Sequence, residues 1–114
     1  MATYAFMNPL KAGKTETWKK YIAEMTGPRA AEFKESRKRI GLTKEQVWLQ
    51  HTPAGDFVVV YWEAADIGKV FEAFMTSQAP FDTWFREKIL QESHGMDAKT
   101  PMPPMNEGFL GAQS

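Results

Sequence analysis

The spacing of apolar residues changes period several times along the chain. Over residues 3–8, Tyr4 and Phe6 alternate with Ala5 and Met7 until Pro9 stops the run, which predicts a short first strand. From about residue 15 to residue 40 the spacing is helical. Trp18, Ile22, Met25, Phe33 and Ile40 fall on one face, with Arg29 and Ser36 in the same stripe. Gly27-Pro28 interrupts this run. Proline lacks a backbone donor and crowds the carbonyl four residues back, so the helix kinks or divides in two there, with Thr26 as a candidate cap. Gly41, behind the basic turn Arg37-Lys38-Arg39, reads as the end of the helix.

Two alternating runs follow, 46–52 and 57–63, around Pro53-Ala54-Gly55. Proline first and glycine third suit a type I turn with a glycine bulge, a three-residue loop that pairs Thr52 with Asp56. That register puts Trp48, Gln50, Val58, Val60 and Trp62 on one face of the hairpin. It puts Val47, Leu49, His51, Phe57, Val59 and Tyr61 on the other. A four-residue loop exchanges the half-sets, because a one-residue slip turns every side chain over. Both faces are largely apolar in either case. Ile67, Val70, Phe71 and Phe74 then mark a helix after Asp66. Pro80 opens another, with Phe81, Trp84, Phe85 and Ile89 as its apolar set and Gly95 as its end. Residues 98–114 form a Pro/Gly-rich tail behind a single domain over 1–97.

The order β-α-β-β-α-α is that of an α+β protein with an antiparallel sheet on a ferredoxin-like plan. Helices in such a plan cover one sheet face. The other face of this hairpin is too apolar for water, and a second copy of the chain is the economical cover, which predicts a homodimer. The alternative is a monomer whose C-terminal tail covers that face.

Composition narrows the function classes. In 114 residues, 14 Lys+Arg balance 14 Asp+Glu, and a zero net charge argues against nucleic acid as a partner. No cysteine is present, so there is no disulfide, thiolate metal site or cysteine nucleophile. His51 and His94 are too far apart in sequence to make a local metal motif, and no metal site is expected. No stretch has the length of apolar sequence that a membrane span needs, and no leader pattern opens the chain. The expected location is cytoplasmic.

Trp48-Leu49-Gln50, the Pro53…Gly55-Asp56 turn, the strand Phe57-Val58-Val59-Val60-Tyr61 and the paired later helices resemble the dimeric α/β-barrel superfamily. Gly27-Pro28-Arg29, Ser36-Arg37 and His94-Gly95-Met96-Asp97 are similar to the pattern of a family of small bacterial proteins within it. The resemblance covers about residues 3–97. It implies two ferredoxin-like subunits whose sheets join into a barrel, with a ligand cavity between each sheet and its helices. The superfamily includes cofactor-free monooxygenases, isomerases, haem-dependent enzymes and stress proteins, so it implies architecture more than activity. The fourth strand of that plan has no signal in the proline-rich 96–106 region.

The candidate chemistry is sparse. Arg29, on the apolar stripe of the first helix, suits a carboxylate or enolate oxygen, with Ser36 beside it. The plainer reading pairs Arg29 with Glu24 or Glu32 and lets Ser36 bond its own helix. His51 is a candidate proton carrier or haem ligand, or else a histidine bonded to a neighbour beside the turn. His94 reads as a cap on its own helix. Trp48, Gln50 and Trp62 suit either a pocket for a planar ligand or a dimer interface, and Tyr61 offers a phenol. Lys34, Arg37, Lys38 and Arg39 read as a solvated helix end. Three functions follow. The first is a cofactor-independent enzyme on a small hydrophobic or aromatic molecule, with Arg29 and His51 in one cavity. The second is a non-catalytic ligand-binding or stress-associated dimer. The third is a haem-dependent member of the fold.

Overall fold

The computed structural model describes residues 2–96. The tail 98–114, Asp97 and any fourth strand lie outside the described residues. The chain is α+β, and its three strands form one antiparallel sheet in the order β1-β3-β2. They are β1 (Ala2–Pro9), β2 (Leu42–Thr52) and β3 (Gly55–Ala64). The arrangement is loosely compatible with a ferredoxin-like plan.

The element order differs from β-α-β-β-α-α at the first helix. Of a kink or a division at Gly27-Pro28 the structure has the division, into α1 (Thr15–Thr26) and α2 (Ala30–Ile40). The break is at Gly27-Pro28. Arg29 N–H donates to the Glu24 carbonyl at 2.9 Å and Ala30 N–H to Gly27 at 3.1 Å, so the turn keeps its bonds while the axis changes direction. A side chain on Gly27 would put its Cβ 2.9 Å from the Ala23 carbonyl oxygen, which explains glycine there. Thr26 is no cap, for its hydroxyl donates back to Ile22 O at 3.0 Å.

Gly41 ends α2 as expected, in the left-handed region at φ 90°. Gly41→Ala has space for its methyl, whose nearest neighbour would be Val70 at 3.9 Å. Its cost is therefore backbone strain alone, about 1 kcal/mol. A urea midpoint lowered to that extent, with an unchanged m-value, is the expected measurement.

The hairpin differs from expectation by one residue. Thr52 pairs with Gly55 and His51 with Asp56, so the loop is Pro53-Ala54, two residues rather than three. The Thr52 hydroxyl closes it, donating to Gly55 O at 2.7 Å and accepting from Ala54 N–H at 3.1 Å. The half-sets therefore exchange. The inner face carries Glu45, Val47 and Leu49 of β2 against Val58, Val60 and Trp62 of β3. β1 adds Tyr4, Phe6 and Asn8, opposite Trp62, Val60 and Val58 respectively. The outer face carries Met7, Gln46, Trp48, Gln50, Phe57, Val59 and Tyr61.

Helices cover only the inner face. α3 (Ile67–Thr76) is capped by Asp66, whose carboxylate accepts from Lys69 N–H at 3.1 Å. It buries Val70 and Phe74, and Phe71 packs within 5.0 Å of Trp62 and 5.4 Å of Tyr4, ring to ring. α4 (Pro80–Phe85) runs into a π-helical segment, Arg86–Ser93. The sequence pattern predicted one α-helix here. The wider winding shows in the bond from His94 N–H to Ile89 O, five residues back.

Candidate functional site

Between the inner sheet face and the helices lies a cavity of about 300 Å³, at the small end of the range for small-molecule sites. Its walls are mostly apolar: Phe6, Val58 and Val60 from the sheet face Trp18, Ile22 and Ile89 from the helices. Val47 and Thr26, both lining and both solvent-exposed, mark its mouth. Four polar side chains interrupt the apolar lining deeper in, two at each end.

Asn8 and His94 form the first end. Asn8 is the last inward residue of β1, after Tyr4 and Phe6, and is 7% exposed. Its carboxamide has no hydrogen-bond partner among the described residues. Yet among the described residues no sealed side-chain nitrogen or oxygen lacks a partner, so the carboxamide opens onto the cavity that it lines. His94 follows the π-helical segment and is 9% exposed. Its Nδ1 lies 2.8 Å from the Pro9 carbonyl oxygen, one residue beyond Asn8. His94 does cap its own helix, but through its backbone N–H, directed at Ile89 O and Gln91 O, while its side chain bonds β1. A carbonyl only accepts, so Nδ1 carries the proton and Nε2 keeps a free lone pair. Burial pushes the His94 pKa below its ordinary value, and the Pro9 bond offsets this in part, so the ring is neutral near pH 7.

Arg37 and Glu45 form the other end. On β3 their level is Trp62, four residues from Val58, or about 13 Å along the strand. Arg37 Nε donates to Glu45 Oε1 at 2.8 Å, and Trp62 Nε1 donates to Glu45 Oε2 at 2.8 Å. The Arg37 guanidinium lies over Phe33 and Phe85, 4.8 and 4.7 Å from the ring centres. It also donates to the Ser36 hydroxyl at 3.2 Å. The cation is thus neutralised inside the wall, and the cavity offers no unpaired charge.

Behind that wall, outside the cavity, Ser36 donates to Asp82. Asp82 also accepts from Ser77 and from Arg39 Nε at 3.0 Å. Burial alone would raise the Asp82 pKa, but the bonds from Ser36, Ser77 and Arg39 outweigh it and hold the carboxyl below its usual range.

No protein-family model matches this chain, and no curated protein matches it. The site therefore has to be read from its own geometry. Among the described residues, no three His, Asp or Glu side chains converge where a metal ion could be held. No helix among them is long and apolar enough to cross a membrane.

The residues singled out from the sequence are scattered. Trp62 lines the cavity. Ser36 is fully buried in the network behind it and bonds Asp82 rather than its own helix backbone. Arg29 is on the outside of the helix layer, 2.8 Å from Glu24 and 3.4 Å from Glu32, with its guanidinium 4.6 Å from the Trp84 ring centre. His51 is exposed beside the hairpin turn, its Nδ1 2.7 Å from Asp56, which also accepts from Thr15 at 2.6 Å. Neither Arg29 nor His51 borders the cavity. Trp48, Gln50 and Tyr61 are on the outer sheet face, away from Trp62, because of the two-residue loop. Tyr61 donates to Glu63 at 2.6 Å, and Gln50 bonds only the adjacent His51 carbonyl, at 3.2 Å.

Sequence reasoning passed over Asn8, Glu45 and Asp82, and it gave Arg37 and His94 no place in the cavity. Asn8 had a signal, a polar residue in phase with Tyr4 and Phe6. Arg37 corrects the reading of its basic run as wholly solvated. It is 9% exposed, whereas Lys34, Lys38 and Arg39 are exposed.

Proposed function

We propose that the protein binds a small, largely apolar molecule between its sheet and its helices. One observation carries this reading. The cavity is apolar-walled, open at Val47 and Thr26, and is lined by the Asn8 carboxamide, which has no hydrogen-bond partner among the described residues. A carboxamide open to the cavity can both donate to and accept from a ligand's polar group. Toluene titration followed by methyl NMR tests it. Shifts confined to lining methyls such as those of Ile22, Val47, Val58, Val60 and Ile89 are expected, and an unresponsive set of methyls would overturn it.

Catalysis is the second reading, favoured by one feature: His94 lines the cavity with its Nδ1 bonded to Pro9, which leaves Nε2 as an unprotonated nitrogen. A cofactor-independent proton transfer would then use His94, not His51, and Arg29 would have no part in it. The haem alternative fits poorly, since a cavity of about 300 Å³ is too small to enclose a tetrapyrrole.

The outer face supports the homodimer and, with it, membership of the dimeric α/β-barrel superfamily. Trp48 is 50% and Met7 53% exposed, next to Phe57 and Val59, and no described helix covers them. With no net charge to repel it, a second copy is the natural cover. Sedimentation equilibrium should give twice the 13.0 kDa chain mass. Trp48→Glu should weaken association at least about 30-fold, the effect of removing an interface anchor. A 13.0 kDa species at all concentrations would exclude the dimer.

A further inference from the structure

Building on the binding reading, we infer that the cavity's ligand is a neutral, mostly apolar molecule carrying a hydroxyl group, an alcohol or a phenol. That hydroxyl donates to His94 Nε2 and accepts from the Asn8 carboxamide.

Two polar groups stand together at the β1 end of the cavity. Asn8 and His94 are each more than nine-tenths buried and both line the cavity. The His94–Pro9 bond brings them to the same end, because Pro9 follows Asn8 directly. That bond also sets what the imidazole offers. With its proton on Nδ1 and directed at a carbonyl, the ring presents Nε2 as an acceptor only. Asn8 presents both a donor and an acceptor. The complementary ligand group must therefore donate once and be able to accept once. A hydroxyl does so with a single atom. An ether or ketone cannot donate, and a hydrocarbon leaves both side chains unpaired.

The rest of the lining excludes charge. Among the described residues its only ionised groups, Arg37 and Glu45, are bonded to each other at 2.8 Å, and the same carboxylate holds the Trp62 indole. A carboxylate ligand could reach the guanidinium only by breaking this pair, which would leave Glu45 buried without its cation. Against the neutral His94, an anion would meet a lone pair. An ammonium ligand would find no free counter-ion. The cavity thus selects against both signs of charge, contrary to the carboxylate or enolate expected from Arg29.

Four matched probes test the inference by calorimetry: 4-ethylphenol, ethylbenzene, 4-ethylanisole and 4-ethylbenzoate. The phenol should bind at least about 10-fold more tightly than ethylbenzene or the methyl ether, since those leave buried polar groups unpaired. The benzoate should be weakest. Asn8→Leu removes no hydrogen bond among the described residues and roughly keeps the side-chain volume, so it should fold normally. In it, the advantage of the phenol over ethylbenzene should fall by at least about 5-fold. Independently, ¹⁵N NMR of the imidazole should show Nε2 unprotonated and shifted by the phenol.

Equal binding of phenol and hydrocarbon would refute the hydroxyl inference and leave the cavity reading intact. Tightest binding by the benzoate would do the same. An Nε2-protonated ring in the free protein would also overturn it. Failure of all four probes, ethylbenzene included, would overturn the cavity reading itself.

Discussion

Glu45→Ala is expected to destabilise the protein by about 3–5 kcal/mol, the usual cost of removing one member of a buried ion pair. Arg37 and Glu45 keep only 10% and 12% of their side-chain surface exposed. Truncating Glu45 therefore leaves a guanidinium largely out of water with no counter-ion. It also strips the buried Trp62 Nε1–H of its acceptor, a second penalty of the same origin. The faces of Phe33 and Phe85 still hold the cation, but a ring quadrupole replaces only part of a carboxylate. Urea denaturation reads the loss directly. The double variant Arg37→Met, Glu45→Met should recover most of it, because an apolar pair has no charge to strand. A single variant within 1 kcal/mol of the parent would mean that the pair is solvated and that the cavity wall is not built as described.

This pair also shows why part of the site was hidden in the sequence. The apolar stripe through Trp18, Ile22, Met25, Phe33 and Ile40 was legible because helical periodicity is local, and so were the strands and the break at Gly27-Pro28. The burial of Arg37 was not, because it depends on Glu45, which only the fold places beside it. Within the run Arg37-Lys38-Arg39 nothing local distinguishes the buried cation from the exposed ones. Ser36 was correctly flagged as a polar residue on a buried stripe, but its partner Asp82 is 46 positions away.

The hairpin shows a different limit. Both strands were placed, and Pro53 does occupy the first loop position. The side chain of Thr52 nevertheless closes the turn one residue early, on Gly55. Because side chains alternate with period two, that single residue moves Val58, Val60 and Trp62 to the face of Val47 and Leu49. It separates Trp62 from Trp48 and Gln50 and dissolves the three-residue pocket that the sequence suggested. The cap position of His94 was legible, but its side-chain partner on β1 was not, for a related reason. The π-helical winding after Phe85 carries it to the end of β1, and the α-helical period does not anticipate that placement.

Asp82→Ala should cost about 3 kcal/mol at pH 7 and progressively less in acid. The carboxylate is 5% exposed, at the junction of α2, α4 and the segment between α3 and α4, and it accepts from Ser36, Ser77 and Arg39. Arg39 is 40% exposed, so water screens its share of the interaction. The two hydroxyl bonds carry most of the effect, because Ser36 is fully buried. Together these bonds hold the Asp82 pKa below its ordinary 3.8, despite burial that would raise it. Between the folded value and 3.8 the unfolded chain binds the proton more readily. The stabilisation is therefore complete above about pH 4 and is lost as pH falls through the folded value. The parent and Asp82→Ala stability curves should accordingly run well apart at neutral pH and converge below pH 3.8. Curves that stay parallel down to pH 2 would show that Asp82 keeps an ordinary carboxyl pKa in the folded state. The hydroxyl and guanidinium donors around it would then not be the bonds that join α2 to α4.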